Sequence, residues 1–324
     1  MRLRKLGERE LLALIRRHFS VPRKDVVLGI GDDAAVINPG SGKLLVSKDL
    51  LVEDSDFIFR LQDPRLLGRK SLNVNLSDIA AMGGRALYSV LGLGLPKDIS
   101  LDWVVEFFAG FKEAGREGGT VLIGGDISQA GKVLVSVTVI GKAAHPVLRR
   151  GARPGDAVFV SGVLGDAKQG LILYKRGCRP GRDKAADVFL KAFLDPRPRT
   201  ELGRRLAAGR IASAMIDCSD GLSVDLNHIC QASGVGAEID LAKIPLSPAL
   251  RSFQKKPLPL ALHGGEDFEL VFTAPRKKLG AIEVLRRSFP LTEIGRITRD
   301  KGIRTVDEMG RLRGLEIRGF EHFR

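Results

Sequence analysis

The stretch Ala214–Leu222, AMIDCSDGL, does most to decide the fold of this chain. Its first four residues form a short apolar run, which predicts a buried β-strand over Ala214–Asp217. Apolar residues at helical spacing follow, and they predict a helix over Leu222–Ala232. An acidic loop between a buried strand and a helix indicates a mixed fold in which the loop is available for chemistry.

The same patterns extend to both sides of this stretch. In the first half they predict helices over residues 6–19, 65–82 and Leu101–Glu117, and strands over Ala34–Ile37, Lys43–Ser47, Ala86–Leu95, Thr120–Ile123 and Lys132–Ile140. In the second half they predict strands over Ala157–Ser161, Glu269–Thr273 and Thr292–Ile297, and helices over Gly165–Lys175, 185–194 and 200–209. Strands and helices do not alternate strictly, so the predicted class is α+β rather than a doubly wound parallel sheet.

A segment rich in Arg, Gly and Pro, His145–Asp156, separates the two halves. We interpret it as a linker between a mixed α/β domain over residues 1–145 and a second α/β domain over residues 146–324. A chain of 324 residues with 44% hydrophobic and 28% charged residues is long and apolar enough to form two such domains.

The chain carries a formal net charge of +14, from 52 basic and 38 acidic residues. The basic residues are scattered in pairs such as Arg204-Arg205 and Lys255-Lys256, which argues against a dedicated arm for nucleic acid. One Trp and two Tyr leave little aromatic surface on which bases could stack. We expect no nucleic-acid partner, whereas anionic small substrates suit such a surface.

Neither a membrane span nor a disulfide framework is predicted. No apolar run approaches the ~18 residues that a membrane span needs, and the basic N-terminal segment lacks the apolar stretch of a signal peptide. The three cysteines, Cys178, Cys218 and Cys230, include no C-x-x-C pair that would suggest a zinc site. We therefore expect a soluble cytoplasmic protein without a membrane partner.

Aspartates recur beside glycine or serine at the ends of predicted strands. They occur in Gly31-Asp32-Asp33, Ser47-Lys48-Asp49, Gly125-Asp126 and Asp217-Cys218-Ser219-Asp220, while Asp78 lies in a predicted helix. One such aspartate is ordinarily a turn or helix-cap residue. Five such sites predict a shared acidic cluster, and converging carboxylates require cations. Oxygen ligands suit Mg²⁺, which usually binds together with phosphates, so the pattern predicts a metal-assisted phosphate site.

Other phosphate-binding motifs fit poorly. The stretch Gly40–Leu44 lacks the first glycine and the final Ser or Thr of a Walker A loop, and the sequence has no H-R-D or D-F-G motif. Gly29–Ala34 matches G-x-G-x-x-A, but a strand and a turn follow it instead of the helix that a dinucleotide site requires. Glycine pairs precede acids in Gly124-Gly125-Asp126 and in Gly264-Gly265-Glu266-Asp267. Such pairs let backbone N–H groups approach phosphate, although Gly264-Gly265 is also compatible with a plain turn.

Nucleophilic catalysis finds little support, because the sequence has no G-x-S-x-G motif and no local pairing of His with Ser or Cys. Cys218 lies between acids that disfavour its thiolate, so we expect it to be a small buried residue. His263 precedes the second glycine pair, and we expect a structural role for it.

Taken in order, these motifs resemble those of the thiamine-monophosphate kinases, a family of the aminoimidazole-ribonucleotide-synthetase-like superfamily. The resemblance covers almost the whole chain, and its ordered set of motifs is specific. It implies a two-domain α+β fold whose N-terminal domain contributes to a barrel in a homodimer. It also implies ATP-dependent phosphorylation of thiamine monophosphate to thiamine diphosphate with Mg²⁺. The motifs are Gly29–Ile37 (GIGDDAAVI), Leu76–Met82 (LSDIAAM), Gly124–Ser128 (GGDIS), Ser161–Ala167 (SGVLGDA), Ile216–Leu222 (IDCSDGL) and Gly264–Leu270 (GGEDFEL).

The resemblance also implies roles for individual residues. The Mg²⁺ ligands would be Asp32, Ser47, Asp49, Asp78, Asp126, Asp217 and Asp220. The contacts with ATP would come from Gly125, Asp126, Arg149 and Ser219. The thiamine side would be bound by Asp56, Glu266 and Phe320, with Phe320 packing on a ring. Because the acceptor phosphate is already anionic, catalysis would rest on positioning and charge neutralisation rather than on a general base.

Two positions depart from the family pattern, and both lie on one loop. The family usually has Ser-Thr-Asp where this chain has Ser47-Lys48-Asp49, and it commonly has a histidine where this chain has Asp56 before Phe57. Lys48 could pair with Asp54 or Asp56 or contact a phosphate, so the metal count and substrate recognition at this loop stay open. Two alternatives remain: another ATP-dependent enzyme of the superfamily with a different phosphorylated or amide substrate, or a non-catalytic regulator that binds nucleotides or nucleic acid.

Overall fold

The structure, a computed structural model, describes residues 25–28, 36–37, 40–307 and 309–320. The chain forms two compact units, the first comprising Met1–Ile79 with Gly84–Ala144 and the second Ala80–Gly83 with His145–Arg324. The predicted helix over residues 6–19 and the predicted ligand Asp32 lie outside the described residues. Within the described ranges, no helix combines the length and apolarity that a membrane crossing demands.

The first unit contains a four-stranded sheet in the order β3-β6-β4-β5. Strands β4 and β5 are parallel, and the other neighbours are antiparallel. Alternate residues of β6 are buried, so one face of the sheet belongs to the core and the other is open. The elements are β1 (Val26–Leu28) and β2 (Val36–Ile37), which pair separately, β3 (Lys43–Val52), α1 (Pro64–Ala81), β4 (Arg85–Leu95), α2 (Leu101–Gly118), β5 (Val121–Gln129) and β6 (Leu134–Ala143).

The second unit contains a seven-stranded sheet in the order β13-β12-β9-β11-β7-β10-β8, in which only the β9–β12 pair is parallel. Its strands are β7 (Ala157–Ser161), β8 (Ala214–Asp217), β9 (Gly236–Asp240), β10 (Leu270–Ala274), β11 (Leu291–Thr298), β12 (Gly302–Val306) and β13 (Leu312–Gly314). Its helices are α3 (Asp166–Lys175), α4 (Lys184–Leu194), α5 (Thr200–Ala208), α6 (Leu222–Ser233), α7 (Pro248–Phe253), α8 (Leu258–His263) and α9 (Leu279–Arg286), with 3₁₀ turns at Leu241–Lys243 and Arg276–Lys278.

Strand β7 shows how this sheet is covered on both faces. All five of its residues are buried, and alternate ones belong to different cores. Val158 and Val160 share a core with apolar residues of α6, whereas Ala157 and Phe159 share another with apolar residues of α5 and α9. A central strand buried on two sides reads as a continuous apolar run, as this one does.

The α+β class is confirmed, and most predicted elements are present with small changes at their ends. The expectation that the aspartates end their strands is wrong for Asp49 and Asp126, which lie inside β3 and β5. Pairing with β6 and β4 continues through these polar residues, so both strands run on beyond the apolar runs that predicted them. Asp217 does end its strand, and Asp78 lies within α1 as predicted.

Candidate active site

Five predicted site residues lie on three segments of the second unit, which we call the acidic loop cluster: Asp217, Ser219, Asp220, Glu266 and Phe320. Asp217 pairs with Leu270 at the end of β8, and the loop to α6 follows. The Glu266 N–H donates to the Ser219 carbonyl at 2.8 Å, and the Phe320 N–H donates to the Asp220 carbonyl at 3.1 Å. Backbone contacts therefore bring together residues that are up to a hundred positions apart in the sequence.

The segment that carries Glu266 is conformationally strained. Glu266 and Phe268 have φ angles of 66° and 49°, in the left-handed region that few residues other than glycine adopt. The Phe268 N–H donates to the Cys218 carbonyl at 2.9 Å, and Asp267 accepts from the N–H groups of Gly165 and Ala167 where α3 begins. Strain of this kind persists only when the surroundings hold it, and it concentrates at functional sites.

Asp225 of α6 is a buried carboxyl behind the acidic loop that the sequence analysis missed. Its Oδ2 accepts from the N–H groups of Asp220 at 3.2 Å and Gly221 at 3.0 Å. Burial, together with the charges of Asp217 and Asp220, raises the pKa of Asp225 to about 8. Asp225 lies among the buried residues of α6 and precedes Leu226 in the sequence. Its place in this amphipathic pattern was the sequence signal from which a buried acid could have been predicted.

Cys218 is fully buried, as predicted. Burial and the neighbouring carboxylates, Asp225 first among them, raise the pKa of its thiol well above the usual value. The thiol therefore stays protonated at neutral pH and is a poor nucleophile.

In the first unit, the structure joins two of the predicted Mg²⁺ ligands directly. The Ser47 hydroxyl on β3 donates to the Asp78 carboxylate on α1. Asp49 lies two residues beyond Ser47 on the same strand, so both side chains occupy the same face of the sheet. Asp49 and Asp78 make further interactions of their own.

Asp126 lies apart from these ligands within the same unit. Asp126 lies on β5, where it pairs with Gly92 of β4, and β5 and β3 are the two edge strands of the sheet. Two strands separate them, so the edges are about 14 Å apart at the usual strand spacing. The cross-strand row that contains Asp126 also contains the exposed Leu50, so Asp126 lies on the open face, opposite the face of Ser47.

The expectation that both departures from the family pattern lie on one loop is wrong, because Lys48 lies inside β3 and only Asp56 lies in the turn after it. Their contacts also differ from those that the sequence suggested. The Lys48 ammonium donates to the Ser136 hydroxyl across the open face. Asp54 forms an ion pair with Lys132, in which Asp54 Oδ2 lies 2.9 Å from Lys132 Nζ. The Asp56 carboxylate accepts from the Val52 N–H at 2.8 Å and so stabilises the turn that follows β3.

Gly125 and Arg149 were both predicted to contact ATP. The contacts around them are those of strand packing and backbone hydrogen bonding. A Cβ at Gly125 would lie 2.0 Å from the Leu91 carbonyl oxygen, so strand packing alone requires glycine there. The Leu148 carbonyl accepts from the Met215 N–H at 3.1 Å, which places the exposed Arg149 beside the beginning of β8, whereas Asp217 ends that strand. Among the described residues, no contact joins Arg149 to the acidic loop cluster.

The oxygen donors of the acidic loop cluster suit a hard cation that arrives with a nucleotide. Within the described ranges, no three His, Cys, Asp or Glu side chains form a metal site by themselves. Mg²⁺, however, usually keeps several waters and takes only one or two carboxylates together with substrate phosphates. Burial first, and then the charges of Asp217 and Asp220, raise the pKa of Asp225, so a cation bound beside these carboxylates would offset their mutual repulsion.

Comparison with known protein families defines the class. The family model for the N-terminal domain of AIR synthase related protein matches residues 31–143, and the model for the C-terminal domain matches residues 153–308. The two units thus have the two-domain AIR synthase related architecture.

Individual relatives narrow the class to one family. The chain is 36% identical over its whole length to the thiamine-monophosphate kinase of Aquifex aeolicus, with the whole of that protein covered. It is 38% identical to the thiamine-monophosphate kinase of Escherichia coli K12, with 98% of each chain covered. The structure of AaThiL complexed with AMPPCP and TMP superposes with a TM-score of 0.80 at 35% identity, covering 100% of this chain and 99% of that one. The chain belongs to the thiamine-monophosphate kinase family.

Proposed function

We propose that this protein transfers the γ-phosphoryl group of ATP to the phosphate of thiamine monophosphate and so forms thiamine diphosphate. The observation that carries the proposal is the acidic loop cluster, in which the loop after β8 is hydrogen-bonded to the segments that carry Glu266 and Phe320. The relative that binds AMPPCP and TMP together supports the same pair of substrates.

The reaction needs no general base. A phosphate oxygen of thiamine monophosphate attacks the γ-phosphorus of ATP, the bond from that phosphorus to the β,γ-bridging oxygen breaks, and ADP leaves. The main obstacle is repulsion between two polyanions, so positioning and charge neutralisation supply most of the catalysis. Ser219 and the backbone of its loop would position the nucleotide, and the net charge of +14 would favour the approach of both anions.

Two separate sets of oxygen donors would hold Mg²⁺: Asp217 and Asp220 in the second unit, and Ser47, Asp49 and Asp78 in the first. Bound there, Mg²⁺ would neutralise charge on the phosphates during transfer. Asp32, which the family resemblance adds to this set, lies outside the described residues. The chain's own contribution is to hold carboxylates in place, as Asp225 does by fixing the N–H groups of the acidic loop.

On the acceptor side, Glu266 and Phe320 would bind the thiamine body. The thiazolium ring of thiamine is cationic and flat, so a carboxylate and an exposed aromatic ring suit it. Phe320 is 51% exposed while its N–H is fixed to the Asp220 carbonyl, so the ring is presented next to the loop. Asp56 stands in this chain at the position of the family's usual histidine.

Replacement of Phe320 by alanine should raise the KM for thiamine monophosphate about tenfold, because a stacked aromatic contact is lost. The KM for ATP should change less than twofold, since the backbone N–H that bonds Asp220 is kept. Steady-state kinetics with each substrate varied in turn measures both values, and Phe320→Tyr is the matched control that keeps the ring. Equal increases in both KM values would place Phe320 outside the acceptor site.

A homodimer would complete the site in the first unit. Leu44, Val46 and Leu50 of β3 are 50%, 69% and 54% exposed on the open face, an apolar surface that a second copy would cover. Pairing of β3 in one protomer with β5 in the other would also close both sheet edges. It would make the strand that carries Asp126 in one protomer the neighbour of the strand that carries Asp49 in the other, with the two side chains on opposite faces of the joined sheet.

Val46→Glu should therefore convert the protein to a monomer and reduce its activity at least tenfold, because a carboxylate in this apolar surface would have to be desolvated when the two copies associate. Light scattering after size-exclusion chromatography reports the mass. Val188→Glu is the matched control, since Val188 is 48% exposed on α4 of the second unit. An active V46E monomer would overturn the shared site.

The experiment that tests the proposed function compares acceptors. Thiamine monophosphate, thiamine and aminoimidazole-type substrates are each incubated with ATP, with and without Mg²⁺. We expect Mg²⁺-dependent thiamine diphosphate from the first acceptor alone. ATP turnover with another acceptor only would indicate a different enzyme of the superfamily.

The free cysteines suit a reducing cytoplasm, which is where we place the reaction.

A further inference from the structure

We propose that Ser223 is a positioning residue for the acceptor substrate: its hydroxyl fixes the backbone of the C-terminal segment (residues 315–320) and thereby holds the Phe320 ring at the acidic loop. The inference rests on the proposed function, because it assigns Phe320 to the acceptor side. Ser223 lies in the first turn of α6 and is fully buried.

One hydroxyl binds both backbone polar groups of Arg318. Ser223 Oγ donates to the Arg318 carbonyl at 2.6 Å, and the Arg318 N–H approaches the same oxygen at 3.4 Å. A buried side chain that satisfies a segment's backbone on both sides fixes where that segment runs. Ser223 is itself held in place by α6, the helix that follows the acidic loop. The C-terminal segment is therefore attached to the same helix as the acidic loop.

His263 completes this contact. Its Nδ1 lies 2.9 Å from Ser223 Oγ and 3.2 Å from the Arg318 carbonyl oxygen. With the Ser223 hydroxyl proton directed to the Arg318 carbonyl, the His263 tautomer that carries its proton on Nδ1 would donate toward both oxygens. The structural role expected for His263 is thus a specific one, to support Ser223 from the end of α8.

The segment between Arg318 and Phe320 lies flat against the acidic loop. A Cβ at Gly319 would be 2.5 Å from the Asp220 carbonyl oxygen and 2.5 Å from Val224 Cγ2, so no larger residue fits there. The Phe320 N–H then bonds the Asp220 carbonyl at 3.1 Å. At the other end, the Leu315 N–H donates to the Ile303 carbonyl at 2.8 Å.

Ser223 is therefore the middle of three attachment points, at Leu315, Arg318 and Phe320. Without its hydroxyl, the segment would remain attached at its ends but would lose the point that orients the aromatic ring. Its contacts are with the segment and with His263, so we expect its loss to affect acceptor binding and to spare ATP binding.

The test is Ser223→Ala measured alone and in combination with Phe320→Ala. We expect the KM for thiamine monophosphate to rise about fivefold to tenfold, the effect of one well-formed hydrogen bond, with the KM for ATP within twofold. In the Phe320→Ala background the second substitution should add nothing, because Ser223 acts through that ring. An equal rise in both KM values, or a full additional rise in the double variant, would overturn the proposal.

Two further measurements separate positioning from general stability. Amide hydrogen exchange should accelerate within residues 315–320 of Ser223→Ala and not elsewhere in the second unit. Ser223→Thr, which keeps the hydroxyl, should restore slow exchange and the wild-type KM. The matched control is Ser247→Ala, which removes a buried hydroxyl that binds Asp166 and caps α7. It should leave both KM values unchanged.

These outcomes also separate this inference from the proposed function. If the wild-type enzyme forms no thiamine diphosphate, the proposed function fails, and Ser223 is no positioning residue for that acceptor. If the wild type is active and Phe320→Ala raises the acceptor KM while Ser223→Ala does not, the proposed function stands and the role of Ser223 falls. Unchanged exchange of residues 315–320 in Ser223→Ala would refute the attachment itself.

Discussion

Asp217→Asn and Asp220→Asn should each lower kcat/KM for thiamine diphosphate formation by about 10²- to 10³-fold, the usual effect of losing one preorganised electrostatic group. Asparagine keeps the shape of the side chain and removes its charge, so neutralisation of the phosphates through Mg²⁺ is what the substitution weakens. Initial rates at saturating ATP over a range of Mg²⁺ concentrations measure the loss, and half-saturation should move to higher Mg²⁺.

Stability should change in the opposite direction. Asp217 and Asp220 both raise the pKa of Asp225, so removing one of these charges from Mg²⁺-free protein relieves repulsion around a buried group. The melting temperature of each variant in a chelator should equal or exceed that of the wild type. A variant that is inactive because it is misfolded would instead melt earlier.

Asp156→Asn is the matched control for these two variants. Asp156 is 5% exposed and accepts from the Arg153 N–H at 3.0 Å and from the Ser213 hydroxyl at 2.6 Å. It precedes β7 at the opposite end of the sheet from Asp217, because Ala157 pairs with Ala274 where Leu270 pairs with Asp217. Its activity should stay within about threefold of the wild type. If Asp217→Asn and Asp220→Asn both retained wild-type activity, the proposal that the acidic loop binds Mg²⁺ would be wrong.

Arg199→Met should destabilise the second unit by about 3–5 kcal/mol, because it leaves the buried Glu269 carboxylate without its cation. Arg199 donates to Glu269 through Nε at 2.6 Å and through a second guanidinium nitrogen, and the Ser161 hydroxyl donates to the same carboxylate. The Glu269 side chain is 5% exposed. Thermal denaturation should show a decrease of roughly 10 °C in the melting temperature of this unit.

The double variant Arg199→Met, Glu269→Met should recover most of this loss, since no unpaired charge then remains. The exposed pair of Arg205 and Glu201 supplies the control: Nε and Oε1 are 2.8 Å apart and both side chains are about half exposed. Arg205→Met should therefore cost less than about 1 kcal/mol. Equal losses for the two arginine variants would show that burial does not govern the Arg199 pair.

The sequence predicted those elements whose pattern is local. Buried β7 and β10 are continuous apolar runs, and α2 has regularly spaced apolar residues, so each was visible in its own stretch. Strands β9 and β12 were missed, and the parallel pair that they form joins positions more than sixty residues apart. No local pattern contains that pairing.

The candidate site was predictable as a set of residue types but not as an arrangement. The motifs around Asp217 and Glu266 pointed to the acidic loop cluster, whereas Ser223 and Asp225 were passed over as ordinary helix residues. Their importance comes from backbone groups of Arg318 and Gly221, which carry no side-chain signature. Asp49 and Asp126 were expected to belong to one shared acidic cluster, whereas the strand order within one protomer places them on opposite edges of one sheet.

Transfer of label from ATP tests the central claim most directly. The wild-type protein is incubated with γ-³²P-labelled ATP, thiamine monophosphate and Mg²⁺, and the labelled products are separated. Direct in-line transfer predicts label in the terminal phosphate of thiamine diphosphate, with one ADP formed for each product molecule and none without Mg²⁺. Label recovered only as inorganic phosphate, or ADP formed without thiamine diphosphate, would contradict the account.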